Sequence, residues 1–369
     1  MDFSQLTGAL AYQHIQALLD YQFIFGAYPE HIQPSSLDTS ISDEVYRMRG
    51  SYLPRTGERI RSIIREGSLY RSSLSAPLDL NGIYLVRLNE TFVLPPKIFA
   101  YANNKSSTGR INLQTRLLID GVSEFDSVPA GYTGELWLEI IPKSFPVKLD
   151  VGERLNQVRF FASDTRLTAD DHAKRHAQEG FLFDSGGNKF FAPNTSRSLG
   201  ITMSVDLDCG EIVGYTCRPT SGRVLAYARR DHKVRDFFEP IYRPEKGEIT
   251  LHRNDFYIIV TKEGIRVPPE YAAEMAPYDV GKGEFRSHYA GFFDPGFGYR
   301  ADGSLKGSPA VLEVFTHDND FILRDGQPIC SMVYEKLSAV PQVIYGDGQL
   351  SSNYFGQKGP RLSKHFQST

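Results

Sequence analysis

The chain has 369 residues, more than one typical core accommodates, so two domains are the starting expectation. With 41% apolar and 23% charged residues, and 41 basic against 44 acidic side chains, it is neither a disordered chain nor one built to coat nucleic acid or a membrane surface. No leader-like opening or span of roughly 18 apolar residues is legible, and three widely spaced cysteines (Cys209, Cys217, Cys330) fit free, buried thiols in a reducing cytoplasm.

Taken from the N-terminus, "GALAYQHIQALLDYQFI" (8–24) places apolar residues at helical spacing and predicts one early helix. Helices then become scarce. Short β-branched and aromatic runs, "GIYLVRL", "ELWLEIIP", "VRFFAS", "DFYIIVT" and "AVLEVFT", are broken by Gly, Pro, Asn and Asp, so the fold is predicted mostly β. Between the first two runs, "NNKSSTGRIN" (103–112) gathers Lys105, Ser106, Ser107 and Arg110 around a turn. Hydroxyls, backbone N–H groups and two cations make an anion-binding surface, or merely a solvated turn; no P-loop pattern is present. In "GELWLEIIP", alternation sets Leu136, Leu138 and Ile140 on one face and Glu135, Trp137 and Glu139 on the other. Glu139 beside a tryptophan reads as a partly desolvated general acid–base or as an exposed strand residue. Trp137 itself reads as packing rather than as a base-stacking platform.

Residues 164–198 are polar and Gly-rich and read as an inter-domain connector, with His172 and His176 on a solvated helix face. The basic run "RRDHKVRDFF" (229–238), interleaved with aspartates, reads as surface. "HYAGFFDPGFGY" (288–299) carries Asp294-Pro295-Gly296, a hairpin tip. Residues 338–369 form a Gly-rich tail. No zinc-deaminase signature, H-E-x-x-H or G-x-S-x-G occurs.

The chain also repeats itself. "YLVRLNETFVLPPKIFAYANN" (84–104) has a twin in "FYIIVTKEGIRVPPEYAAEMAP" (256–277). Pro95 and Pro268 are offset by 173 (268 − 95); Glu139 and Glu313, and Gly152 and Gly326, by 174 (313 − 139, 326 − 152). Landmarks at a nearly constant offset predict a tandem duplication, with domains at 1–163 and 199–337 flanking the connector.

These pieces, in this order, resemble the dCTP deaminase family of the dUTPase-like β fold. "LPPKIFAYANNKSSTGR" is similar to that family's S-S-x-x-R motif, "GYTGELWLEI" and "VLEV" to its glutamate strand, "AGFFDPGF" to its hairpin, and "NYFGQKGPRLSK" to its tail. The resemblance implies two tandem β-barrel or jelly-roll domains and hydrolysis of dCTP to dUTP and ammonia without catalytic zinc. It implies catalytic roles for Glu139 or its repeat partner Glu313, with Ser106 and Arg110. Nucleotide contacts are implied for Lys105, Ser107, Ala290, Gly291, Asp294, Tyr354, Gln357 and Lys358, with the tail closing over the nucleotide. Mg²⁺ would travel with the triphosphate, dTTP would inhibit, and the protein would be a cytoplasmic homo-oligomer.

The second copy has "APYDVGKG" where S-S-x-x-R would stand. The halves are therefore expected to complement one another, with Glu139 favoured over Glu313. Three alternatives stay open: a dUTP diphosphatase, a bifunctional enzyme taking dCTP to dUMP, and a non-catalytic nucleotide-binding regulator.

Overall fold

The computed structural model describes residues 1–191, 200–218, 222–276, 285–287, 291–316, 319–348 and 354–367. The predicted helix forms as α1 (Tyr12–Asp20), after which strands dominate. The chain divides into two compact units. The first holds Met1–Asp164 and takes in the described parts of Pro219–Phe237 and Ser363–Thr369; the second holds Thr165–Arg218 and Phe238–Leu362.

The first unit is built on β1 (Leu37–Met48), β2 (Ile83–Val93), β3 (Phe99–Asn104), β4 (Leu113–Ile119), β5 (Ser127–Val128), β6 (Thr133–Pro142) and β7 (Arg154–Phe161). Their order across the sheet is β4-β6-β2-β1-β7-β3-β5. A helix absent from the sequence reading, α2 (Ile60–Gly67), buries Ile60, Ile63 and Ile64. That spacing puts all three on one helical face.

The second unit uses β8 (Ile201–Ser204), β9 (Ile212–Cys217), β10 (Phe256–Ile265), β11 (Tyr271–Ala276), β12 (Phe285–Ser287), β13 (Phe292–Phe293), β14 (Ser308–Thr316) and β15 (Pro328–Lys336). One sheet runs β9-β10-β14-β12, with Phe238–Tyr242 at the β9 edge; another runs β8-β15-β11-β13. Laid beside the first unit, the order is the same, with β8 and β9 standing for the two ends of β1. The interruption has a local cause. Between them "VDLDCGE" folds back on itself: the Asp208 N–H donates to Asp206 (2.9 Å) and the Leu207 N–H to Asp325 (2.9 Å).

The duplication extends to a buried carboxylate clamp. In the first unit Glu90, fully buried on β2, accepts from the Ser40 N–H (3.0 Å) and hydroxyl (2.8 Å). In the second, Glu263 on β10 accepts from the Ser204 N–H (2.8 Å) and hydroxyl (2.5 Å). Burial pushes both carboxyls upward, Glu90 to about 7, against the pull of the serine bonds. The paired prolines also make the same turn: Ile98 N–H donates to Pro95 O (2.9 Å) and Tyr271 N–H to Pro268 O (3.0 Å).

The segment read as a connector is corrected by its first half. Residues Ala169–Glu179 form α4, capped by Thr168, whose side chain accepts from the Asp171 N–H, and this helix belongs to the second unit. His172 and His176 are buried rather than solvated. His172 Nε2 accepts from the Tyr334 N–H (2.9 Å) while Nδ1–H donates to Thr168 O (2.9 Å). His176 Nδ1 accepts from the Phe181 N–H (2.9 Å) while Nε2–H donates to Phe190 O (2.8 Å). The reason is stoichiometric: a neutral imidazole, one donor and one acceptor, satisfies one backbone N–H and one C=O in the interior.

Burial lowers both histidine pKa values below the ordinary 6.5. The unfolded chain then binds more protons just below pH 6.5, so the stability these two histidines contribute is present above that pH and lost as pH falls through the depressed folded values. Thermal midpoints between pH 7.5 and 5.0 check this. Wild type should lose more on acidification than a His172→Gln/His176→Gln variant, and equal losses would contradict it.

Cys330 is buried as expected, while Cys209 and Cys217 are only partly buried. The run at 229–238 is mixed: Arg229, Arg230 and Asp231 are exposed, but His232, Phe237 and Phe238 are buried. Among the described residues no helix is long and apolar enough to cross a membrane.

Candidate active site

Strand alternation holds along β6. Trp137 and Glu139 share a face, and both are buried, so Glu139 is no exposed strand residue: only 3% of it is accessible. What covers them is α2. Ile60, Ile63 and Ile64 pack with Met48, Leu85, Leu118 and Trp137 into one apolar cluster. Beside that cluster lies a narrow recess with room for about one water molecule; its walls include Ile60, Ile63, Leu85, Leu118 and Tyr52 and, among the described residues, one carboxylate, Glu139. In the ladder Glu139 is flanked by Leu85 of β2 and Arg116 of β4.

The electrostatics follow from this placement. Burial pushes the Glu139 carboxyl up, while a hydrogen bond from Ser51 and the charges of Arg116 and Lys143 pull it back. Arg116 is itself tied to Asp126 (2.7 Å). A carboxyl held above its usual range in an apolar recess is a better proton acceptor than an exposed one, and can return the proton it takes. Trp137 is packing, as expected: it is fully buried, with Tyr46 at 6.2 Å and the Arg61 guanidinium 5.3 Å from its ring.

The Lys105–Arg110 stretch forms a short helical turn, α3 (Ser106–Gly109), between β3 and β4. Its geometry is heavily determined. Arg110 Nε donates to Ser106 Oγ (3.0 Å), coupling two predicted catalytic residues. Asn104 braces the entry, accepting from Thr115 and donating to Leu113 O (2.9 Å). Lys105 is ion-paired with buried Asp38. Ser107 and Thr108 are buried, and their hydroxyls meet the Tyr227 hydroxyl at 3.4 and 3.0 Å. Ser107 therefore lies in the interior, not on an open anion surface, because its hydroxyl is engaged from behind. The walls of the Glu139 cavity include neither Ser106 nor Arg110.

The remaining predicted residues fall in the second unit. Glu313, also 3% accessible, sits on β14 opposite Ile258 of β10. Asp294 opens the expected turn: the Phe297 N–H donates to Asp294 O (3.0 Å), and Gly296 takes φ +98°, which glycine alone adopts readily. Gly291 O accepts from the Met275 N–H (2.8 Å). Ala290 lies outside the described residues, as does most of the "APYDVGKG" stretch. In the tail, Tyr354 and Gln357 are buried, Gln357 Nε2 donating to Pro309 O (2.8 Å) on the strand that carries Glu313, while Lys358 is exposed. The tail is divided: residues through Leu362 belong to the second unit and those from Ser363 to the first.

Sequence reasoning missed α2, Asp38, Asn104 and Tyr227. Only α2 had a local signal, the Ile60/Ile63/Ile64 spacing.

Residues 6–164 match the family model for the 2'-deoxycytidine 5'-triphosphate deaminase N-terminal domain, and residues 169–366 match that for the C-terminal domain. The second match begins at α4. The fold is similar to the crystal structure of 2'-deoxycytidine 5'-triphosphate deaminase from Agrobacterium tumefaciens, with a TM-score of 0.83 and 39% identity, over 92% of this chain and 100% of that one. A protein named dCTP deaminase, dUMP-forming, from Methanosphaera stadtmanae is 26% identical over 201 residues, 54% of this chain and 93% of its own. One of the same name from Mycolicibacterium gilvum is 30% identical over 137 residues, 36% of this chain and 67% of its own.

Proposed function

Because the chain belongs to the 2'-deoxycytidine 5'-triphosphate deaminase family, a hydrolase family acting on the cytosine amino group, we propose that it converts dCTP and water to dUTP and ammonia with Glu139 as the proton carrier. The observation that supports this is the buried Glu139 carboxylate, raised by burial, at a narrow and mostly apolar recess beneath α2. Glu139 takes a proton from the water that bonds to C4 and returns it to the departing amino nitrogen, so the carboxylate is regenerated. Ser106 and Arg110, hydrogen-bonded to each other but not among the walls of that recess, are assigned to orient the water and stabilise charge developing on the base, reaching it across an interface of the proposed homo-oligomer.

Lys105 and Ser107 are assigned to the triphosphate end, with Gly291, Asp294, Tyr354, Gln357 and Lys358 as further nucleotide contacts. For Ser107 the contact is through its backbone, since its hydroxyl faces Tyr227. Mg²⁺ enters as part of the substrate, chelated by the triphosphate. Inhibition by dTTP and a homo-oligomeric state belong to the same proposal.

A second reading, release of dUMP and pyrophosphate, is favoured by the name that the half-length relatives carry. Incubation with dCTP and Mg²⁺ separates the readings. Ammonia with dUTP supports deamination alone; ammonia with dUMP and pyrophosphate supports the bifunctional case. Tight binding with neither product would overturn both in favour of a nucleotide-binding regulator.

A further inference from the structure

The described part of 219–237 sits in the second half of the sequence but folds into the first unit. Leu225 and Ala226 pair in parallel with Val147 and Lys148. Phe237 packs edge-on against Phe145 (5.0 Å), and Arg223 pairs with Asp236 (2.8 Å), closing the segment on itself. The chain terminus joins it: the His232 N–H donates to His365 O (3.1 Å), the Gln367 N–H to His232 O (3.0 Å), and Phe366 stacks edge-on against Phe237 (5.7 Å).

This two-part layer presents two hydroxyls to α3. Tyr227, buried beneath His365 (ring centroids 4.3 Å apart), donates its single proton to Arg154 O (3.2 Å). Its lone pairs are then left to receive the Thr108 and Ser107 hydroxyls. The Ser363 hydroxyl donates to Ser107 O (2.8 Å). Four polar groups of a four-residue turn and its surroundings are thus satisfied from outside the turn, in a place where water does not reach.

We propose that Tyr227, backed by Ser363, is a positioning residue for the Ser106–Arg110 turn: it fixes the backbone and hydroxyls at Ser107 and Thr108, and so the direction in which Ser106 and Arg110 face the reacting base. The catalytic half of this rests on the roles proposed above for Ser106 and Arg110. A turn of four residues has no helical cooperativity of its own. Preorganisation of a charge-stabilising pair therefore has to come from what packs behind it.

Two measurements on the full chain test this. In Tyr227→Phe, amide hydrogen exchange of residues 105–112 accelerates about tenfold or more while that of β10 and β14 is unchanged. In the same variant kcat for dCTP falls about tenfold with KM within threefold, since geometry is lost at the transition state rather than in ground-state binding. Ser363→Ala gives a smaller effect of the same kind, and the double variant falls short of the product of the singles, because both hold one turn. Unchanged exchange at 105–112 in Tyr227→Phe overturns the clamp outright. Accelerated exchange with wild-type kcat overturns the positioning role. If wild type itself does not deaminate dCTP, it is the functional reading that fails, while faster exchange still upholds the clamp.

Discussion

Glu139→Gln deaminates dCTP at least about 10³-fold more slowly than wild type, at the upper end of what a positioned proton carrier contributes. The substitution is close to isosteric. It keeps a hydrogen-bonding group toward Ser51 and fills the same place in the recess under α2. What it removes is the ability to accept a proton, so dCTP binding persists while ammonia release stops. Glu313→Gln, at the equivalent strand position of the second unit, retains deamination within about threefold. Release of ammonia and equilibrium binding of dCTP, measured for both variants, decide between the two carboxylates. A fully active Glu139→Gln would overturn the assignment, and the reverse pattern would transfer it to Glu313.

Trp137→Ala lowers the stability of the first unit by about 3–5 kcal/mol, the usual cost of emptying a large aromatic site in a core. The side chain is completely buried beside the isoleucines of α2. It also carries Arg61, whose guanidinium lies over the ring and is bonded to Glu44 (3.0 Å) and Glu135 (2.9 Å). Removing the ring leaves a void and an arginine without its platform. Urea unfolding followed by circular dichroism measures the loss. A Trp137→Phe variant, which fills most of the space, keeps the dCTP KM near wild type. A large rise in KM with little change in stability would instead identify the ring as a base-stacking surface.

The face that Glu139 shares with Trp137 was legible because strand alternation is a two-residue rule that needs only local sequence. That this face is covered was not, since the cover is eight residues long and rich in arginine. Ile60, Ile63 and Ile64 mark it, but a motif of one and a half to two turns competes poorly with the surrounding polar residues. The repeat was legible for the same kind of reason: prolines, glutamates and glycines kept their spacing across 173 or 174 positions.

Two other features were hidden for different reasons. In the sequence α4 reads as a solvated connector because its inward face is histidine, and an imidazole that satisfies a backbone N–H and C=O looks polar in any hydropathy count. Tyr227 was hidden by distance along the chain. It lies about 120 residues from Ser107, in a stretch whose charges advertise a surface, and only the fold shows that it returns to the first unit. The interruption of β1's counterpart did have a signal, the Asp206–Gly210 run, but none that tells a break from an ordinary turn.

The return of 222–237 and of the chain terminus to the first unit bears on how the duplicated gene can be divided. A fragment ending at Asp164 would contain every strand from β1 to β7 and the whole Ser106–Arg110 turn, yet the phenol and the serine that hold that turn would be missing. The two copies have ceased to be separable modules. A frameshift near the terminus would injure a turn encoded some 250 codons upstream, and co-expressing the halves as independent polypeptides would restore that turn only if the second fragment could deliver Tyr227 and Ser363 in trans.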